Sequence, residues 1–116
     1  MPIKYAVISQ AMKGIDSSKI RLQREKAEAA VRAAGYEPID TVYEEDFDYG
    51  VSGDDVVNPA LWHMGLALAR LSKAHAIYMC DGWGAARGCR MEHQSAVAFG
   101  VDVMYEVDSS PTTADG

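Results

Sequence analysis

The chain has 116 residues, 48% of them hydrophobic and 24% charged. That length holds one domain, able to bury roughly two thirds of its unfolded surface, enough for one sheet with helices on it. A net charge of −6 argues against duplex DNA or an anionic membrane as a partner. A small anionic ligand stays compatible with it, because a few local Arg or Lys side chains act against the global field.

Residues 3–8 mix apolar and β-branched types without alternation, as expected of a strand buried on both faces. Residues 9–14 break that run. Asp16, Ser17 and Ser18 are candidate N-caps for a long helix closed by Gly35, with Ile20, Ala27, Val31 and Ala34 on one stripe. Residues 36–43 read as a second strand. Residues 44–57 hold six carboxylates and two glycines and read as an exposed acidic connection or a lid. Asn58-Pro59 is an N-cap followed by proline at the first helical position, opening a helix to about Ser72. Leu61, Met64, Leu68 and Leu71 form its main stripe, but Trp62, Leu66 and Ala69 extend apolar surface around it. A helix apolar over so much of its circumference needs cover on more than one side, so a homodimer or higher homo-oligomer through residues 59–72 is expected. Residues 74–80 form a third buried strand, and residues 89–99 a helix closed by Gly100. Residues 101–106 form a fourth strand. Residues 1–107 then make one domain, and residues 108–116 a small polar tail expected to fray.

This alternation predicts an α/β, flavodoxin-like (Rossmann-like) doubly wound fold, with four to five mostly parallel strands and helices on both faces. A reversal of strand order places the first strand beside the third, and ligands in such sheets bind outside the carboxyl ends of the strands at that switch point. Residues 9–14 and 81–90 should meet there.

The segment from Asp81 to Glu92 carries Gly82, Gly84 and Gly88, which let backbone approach a ligand and can aim amides at an anion. Arg87 and Arg90 add donors suited to phosphate, and a helix opening near Gly88 adds its positive end. Glu92 would lie in that helix's first turn, where the dipole favours the ionised form. It reads either as a carboxylate stabilising its own helix or as one that attacks a cationic sugar carbon, with Asp81 either a turn residue or a proton donor. Trp83 is a loop anchor or a face for stacking a base. His93, His63 and His75 read as surface histidines. In the first loop, Ser9 follows the strand directly and Lys13 offers a phosphate contact. Neither a phosphate-binding P-loop nor a dinucleotide fingerprint is present. Cys80 and Cys89 read as two reduced thiols, and neither a metal site nor a cofactor is expected. The N-terminus enters the first strand too soon for a signal peptide, so a cytoplasmic location is expected.

Ile8-Ser9-Gln10-Ala11-Met12-Lys13-Gly14, followed by Gly82-Trp83-Gly84-Ala85-Ala86-Arg87-Gly88-Cys89-Arg90-Met91-Glu92-His93, resembles the DUF4406 proteins of phages and bacteria. The likeness extends over nearly the whole chain. That group is in turn similar to the nucleoside 2-deoxyribosyltransferases and the 2′-deoxynucleoside 5′-phosphate N-hydrolases. The resemblance implies a flavodoxin-like fold, a homodimer and cleavage of an N-glycosidic bond, with a nucleoside or nucleotide as the small-molecule partner. It implies Glu92 as the nucleophile on the anomeric carbon and Asp81 as the residue that protonates or positions the base. It assigns Ser9, Met12, Lys13 and Gly14 to sugar or phosphate contact, and Gly88 also matches. On the reading of the residues themselves, Gln10, Gly82, Trp83, Arg87 and Arg90 complete the expected substrate site. Ala86 departs from the pattern, standing six before the glutamate where the transferases carry an acidic sugar ligand and the hydrolases a phosphate-binding serine. Gln10-Ala11 replaces the commoner Gly-Pro. The arginines favour an N-hydrolase over a deoxyribosyltransferase. The alternative is a protein of the same fold that binds a nucleotide or nucleotide signal without turning it over.

Overall fold

The computed structural model of the chain describes residues 2–39 and 55–107. The end of the expected second strand, residues 44–54 of the acidic connection and the tail at 108–116 lie outside the described residues. In order the elements are β1 (Tyr5–Ser9), α1 (Ser17–Ala33), β2 (Glu37–Pro38), α2 (Pro59–Leu71), β3 (Ala76–Met79), α3 (Arg87–Ala98) and β4 (Asp102–Tyr105). A single 3-10 turn, Trp83–Ala85, stands between β3 and α3.

The four strands form one parallel sheet in the order β2-β1-β3-β4. The first strand therefore lies beside the third, as the doubly wound reading predicts. β1 and β3 are central and almost wholly buried, which explains their unbroken apolar runs. Their side chains alternate between two cores. Ala6, Ile8, Ala76, Tyr78 and Cys80 pack with Ala27 and Val31 of α1 on one face. Val7, Ile77 and Met79 pack with Leu71 of α2 and with Cys89 and Ala96 of α3 on the other. Ser9 continues the Val7 side of β1, which directs it toward α3.

The local signals that set the helices are those written in the sequence. The Asp16 side chain accepts from the Ser18 amide at 3.1 Å, and its carboxyl is held below the usual range by the Ser18 hydroxyl and amide. Asn58 Oδ1 accepts from the Leu61 amide at 2.9 Å, with Pro59 opening α2. Gly35 closes α1 in the left-handed region at φ +96°. In α2 only Leu71 is fully buried, and Leu61 is 62% exposed.

Two expectations shift. α3 begins at Arg87, two residues before the expected start, because the 3-10 turn ends at Ala86 and that residue's extended backbone serves as the N-cap. β2 is short in its described part, and Pro38, which lacks an N–H, suits its place at the sheet edge.

Candidate functional site

β1 and β3 end in register, with Ser9 opposite Met79 and the Cys80 amide donating to the Ser9 carbonyl at 2.9 Å. Beyond these ends lies a cleft of about 1180 Å³. It has three walls: the first loop with Gln10, Met12, Lys13 and Ile15, the amino-terminal half of α2, and the segment from Gly82 to Glu92. This is the switch-point crevice expected of such a sheet.

Glu92 is the carboxylate of the cleft. Its Oε1 accepts from the Ser9 hydroxyl at 2.5 Å, a charge-assisted contact across the sheet's end. Burial pushes the Glu92 carboxyl above its ordinary range, while the Ser9 hydrogen bond and then the Arg70 guanidinium on α2 oppose that rise. The expected first-turn position is not found. With α3 opening at Arg87, no acidic residue lies in its first turn, and the environment of Glu92 is set by burial rather than by the helix dipole.

The glycine-rich segment also works differently from the expectation that its amides face an anion. The amides of Trp83, Ala85 and Ala86 donate to the carbonyls of Cys80, Gly82 and Trp83, so the 3-10 turn consumes them. Gly82 is needed there for its left-handed backbone, φ +93°. No side chain caps α3, leaving its first-turn amides at Arg87, Gly88 and Cys89 beside the cleft. A Cβ at Gly88 would meet Met64 Sδ at 4.0 Å, an ordinary contact, so packing alone does not demand glycine at that position.

The structure thus gathers Gln10, Met12, Lys13, Gly82, Arg87, Gly88, Arg90 and Glu92 around one cleft. Ser9, 2% exposed, stands behind Glu92. Gly14 shapes the turn that the Ile15 amide closes on Met12, at φ +77°. Arg90 Nη1 donates to the Gly84 carbonyl at 2.9 Å and so braces the segment, whereas Arg87 is exposed. Asp81 is exposed and does not line the cleft; its amide donates to Glu106 Oε1 at 2.8 Å and its carbonyl accepts from Gln23 Nε2 at 3.0 Å. Trp83 packs against the Ile77–Met79 core and stacks on His93 at 4.3 Å, and His93 Nε2 lies 2.6 Å from the Tyr105 hydroxyl.

Several contributors escape a reading of the sequence. His63, Met64 and Ala67 of α2 form a wall of the cleft, and Arg70 bears on Glu92. The signal available was Asn58-Pro59, which puts the start of α2 at the carboxyl end of the sheet. Cys89 lies one turn before Glu92, and burial raises its thiol, with Ser9 opposing and Glu92 adding to that rise. Cys80 is pushed up to about 12 by burial and then by the Glu106 carboxylate, so both thiols are free and poorly ionised. Gln10 is tied to α1, its Nε2 donating to the Ile20 carbonyl at 2.8 Å and to Gln23 Oε1 at 2.9 Å.

A family model, described as a domain of unknown function (DUF4406), matches residues 4–105. The chain belongs to the DUF4406 family. No curated protein and no solved structure matches it. The DUF4406 match runs from the start of β1 to the end of β4, and so takes in every wall of the cleft. Among the described residues no helix is long and apolar enough to cross a membrane, and no group of three His, Cys, Asp or Glu is placed to hold a metal ion.

The Glu92 carboxyl titrates higher in the folded chain than in the unfolded one. Its ionisation therefore costs stability above the folded-state value, and the cost is absent once the pH falls below the ordinary range. Glu92→Gln keeps the shape and the acceptor for Ser9 but removes the charge. It is expected to melt above wild type at neutral pH, with the difference vanishing below about pH 4. Thermal melts across that range check this, and a variant less stable at neutral pH would contradict it.

Proposed function

We propose that the cleft binds a nucleoside or nucleotide and that Glu92 breaks its N-glycosidic bond. The observation that carries this reading is one carboxylate, partly buried, gripped through Oε1 by Ser9 and facing a cleft that also holds Arg87 and the uncapped start of α3. In the proposed step Oε2 attacks the anomeric carbon. The C–N bond breaks, and the base leaves with the electron pair and takes up a proton. Water then hydrolyses the glycosyl ester and frees the carboxylate, as in retaining glycoside hydrolysis. Arg87 and the α3 amides suit a 5′-phosphate, which favours hydrolysis of a nucleotide over transfer between nucleosides. The motif likeness to the nucleoside 2-deoxyribosyltransferases and their N-hydrolase relatives supports the same chemistry, in a cytoplasmic setting. Asp81 lies outside the cleft lining, so among the residues that do line it His63 is the candidate donor to the leaving base.

That position of Asp81 also favours a second reading, a nucleotide-binding protein without turnover. Incubation with a panel of nucleosides and nucleotides, followed by chromatography for free base, separates the two. The enzymatic reading expects base from a nucleoside 5′-phosphate and loss of that activity by orders of magnitude in Glu92→Ala. Arg87→Ala should lower the preference for the phosphorylated substrate by about tenfold or more. Tight binding with no base released would establish the second reading instead.

The same proposal includes a homodimer through α2. Leu61 is 62% exposed there, and a second copy packed on α2 would cover it. Light scattering at micromolar concentration should give twice the mass of the chain, and a monomer would refute the pairing.

A further inference from the structure

Glu92 is approached from every element packed around it. From β1, the Ser9 hydroxyl donates to Oε1 at 2.5 Å. From α2, the Arg70 guanidinium favours the negative charge, and from α3 itself the buried Cys89 thiol lies one turn away. Lys13, His63, Arg87 and Arg90 face the same cleft from its rim. Of these groups, Ser9 is the one with a direct hydrogen bond to the carboxylate. Ser9 is itself fixed at 2% exposure, since its carbonyl takes the Cys80 amide at 2.9 Å and ties the strand end to β3. The backbone that carries the hydroxyl is therefore held in the sheet, and the hydroxyl is shielded from solvent.

We propose that Ser9 is a positioning residue for Glu92, locking Oε1 so that Oε2 faces the cleft, and holding the carboxylate ionised against its burial. This rests on the reading of Glu92 as the reactive carboxylate, and extends it by naming what keeps that group charged. A donor of this kind favours the ionised form. A protonated carboxyl still accepts through its carbonyl oxygen, but more weakly, so the same hydroxyl stabilises it less. A serine at the end of a buried strand thus has a task distinct from touching sugar or phosphate, because its hydroxyl is bonded to Glu92 and Ser9 itself does not line the cleft.

The test is a titration of the Glu92 carboxyl by NMR on glutamate-labelled chain, with Glu92→Gln identifying the signal. Ser9→Ala should raise the midpoint by about one pH unit or more, the shift expected for loss of a hydrogen bond to a charged group. Ser9→Cys, with a weaker donor, should give a smaller rise in the same direction. It also serves if the alanine variant does not fold. Where base release is measurable, the acidic limb of its pH profile should move up with the midpoint. A midpoint left in place in a folded Ser9 variant would overturn the proposal. The titration needs no substrate, so the two readings fail separately. A shifted midpoint with no base released defeats the reaction alone, and base release with an unmoved midpoint defeats the role of Ser9 alone.

Discussion

The hydrogen bond from Ser9 to Glu92 joins the end of the central strand to the helix that follows its neighbour. Most of the site's geometry depends on that join. A carboxylate set at the meeting of β1, α2 and α3 loses water on most sides, and the loss favours its neutral form. The fold offsets this with one short donor and one nearby guanidinium, not with a full ion pair. The result is a charged group that is held in place yet still open to the cleft on one side. Such a group is costly for stability and useful for chemistry, a trade common at functional sites.

A second layer of polar contacts holds the frame around that join. Gln23 on α1 donates to the Asp81 carbonyl and to Glu106 Oε1, both at 3.0 Å, and accepts from Gln10. Glu106 in turn takes the Asp81 amide. One glutamine thus links the first loop, the turn after β3 and the end of β4. On the far side of α3, Trp83, His93 and Tyr105 form an aromatic stack that fastens the 3-10 turn to β4. Between these two anchors the segment from Gly84 to Glu92 is presented to the cleft on a rigid base.

The architecture was legible because it is written in local patterns. Unbroken apolar runs marked β1 and β3 as central, Asp16 and Asn58-Pro59 marked helix starts, and the α/β alternation implied the strand order. Glu92, Arg87 and Gly88 were reachable too, since the order of strands and helices alone puts their segment at the switch point. What could not be read depends on distant partners. The amides of Trp83, Ala85 and Ala86 looked available, and a 3-10 turn uses them. Glu92 looked like a first-turn carboxylate favoured by a dipole, and two residues of extra helix together with burial reversed the sense of its shift. Arg70 gave no sign of its role, because only the packing of α2 against α3 brings it near Glu92. Trp83 and Asp81 carried two readings each in the sequence, and the structure places both outside the cleft.

The central claim is that Glu92 supplies the attacking oxygen in a covalent step. The most direct measurement is mass spectrometry of the acid-quenched chain after reaction with a nucleoside 5′-phosphate fluorinated at the sugar 2′ carbon. The fluorine destabilises the cationic transition state and should slow hydrolysis of a glycosyl ester. The account predicts a sugar-phosphate adduct mapped to Glu92 and missing from Glu92→Gln. Base release with the adduct on another residue would contradict it.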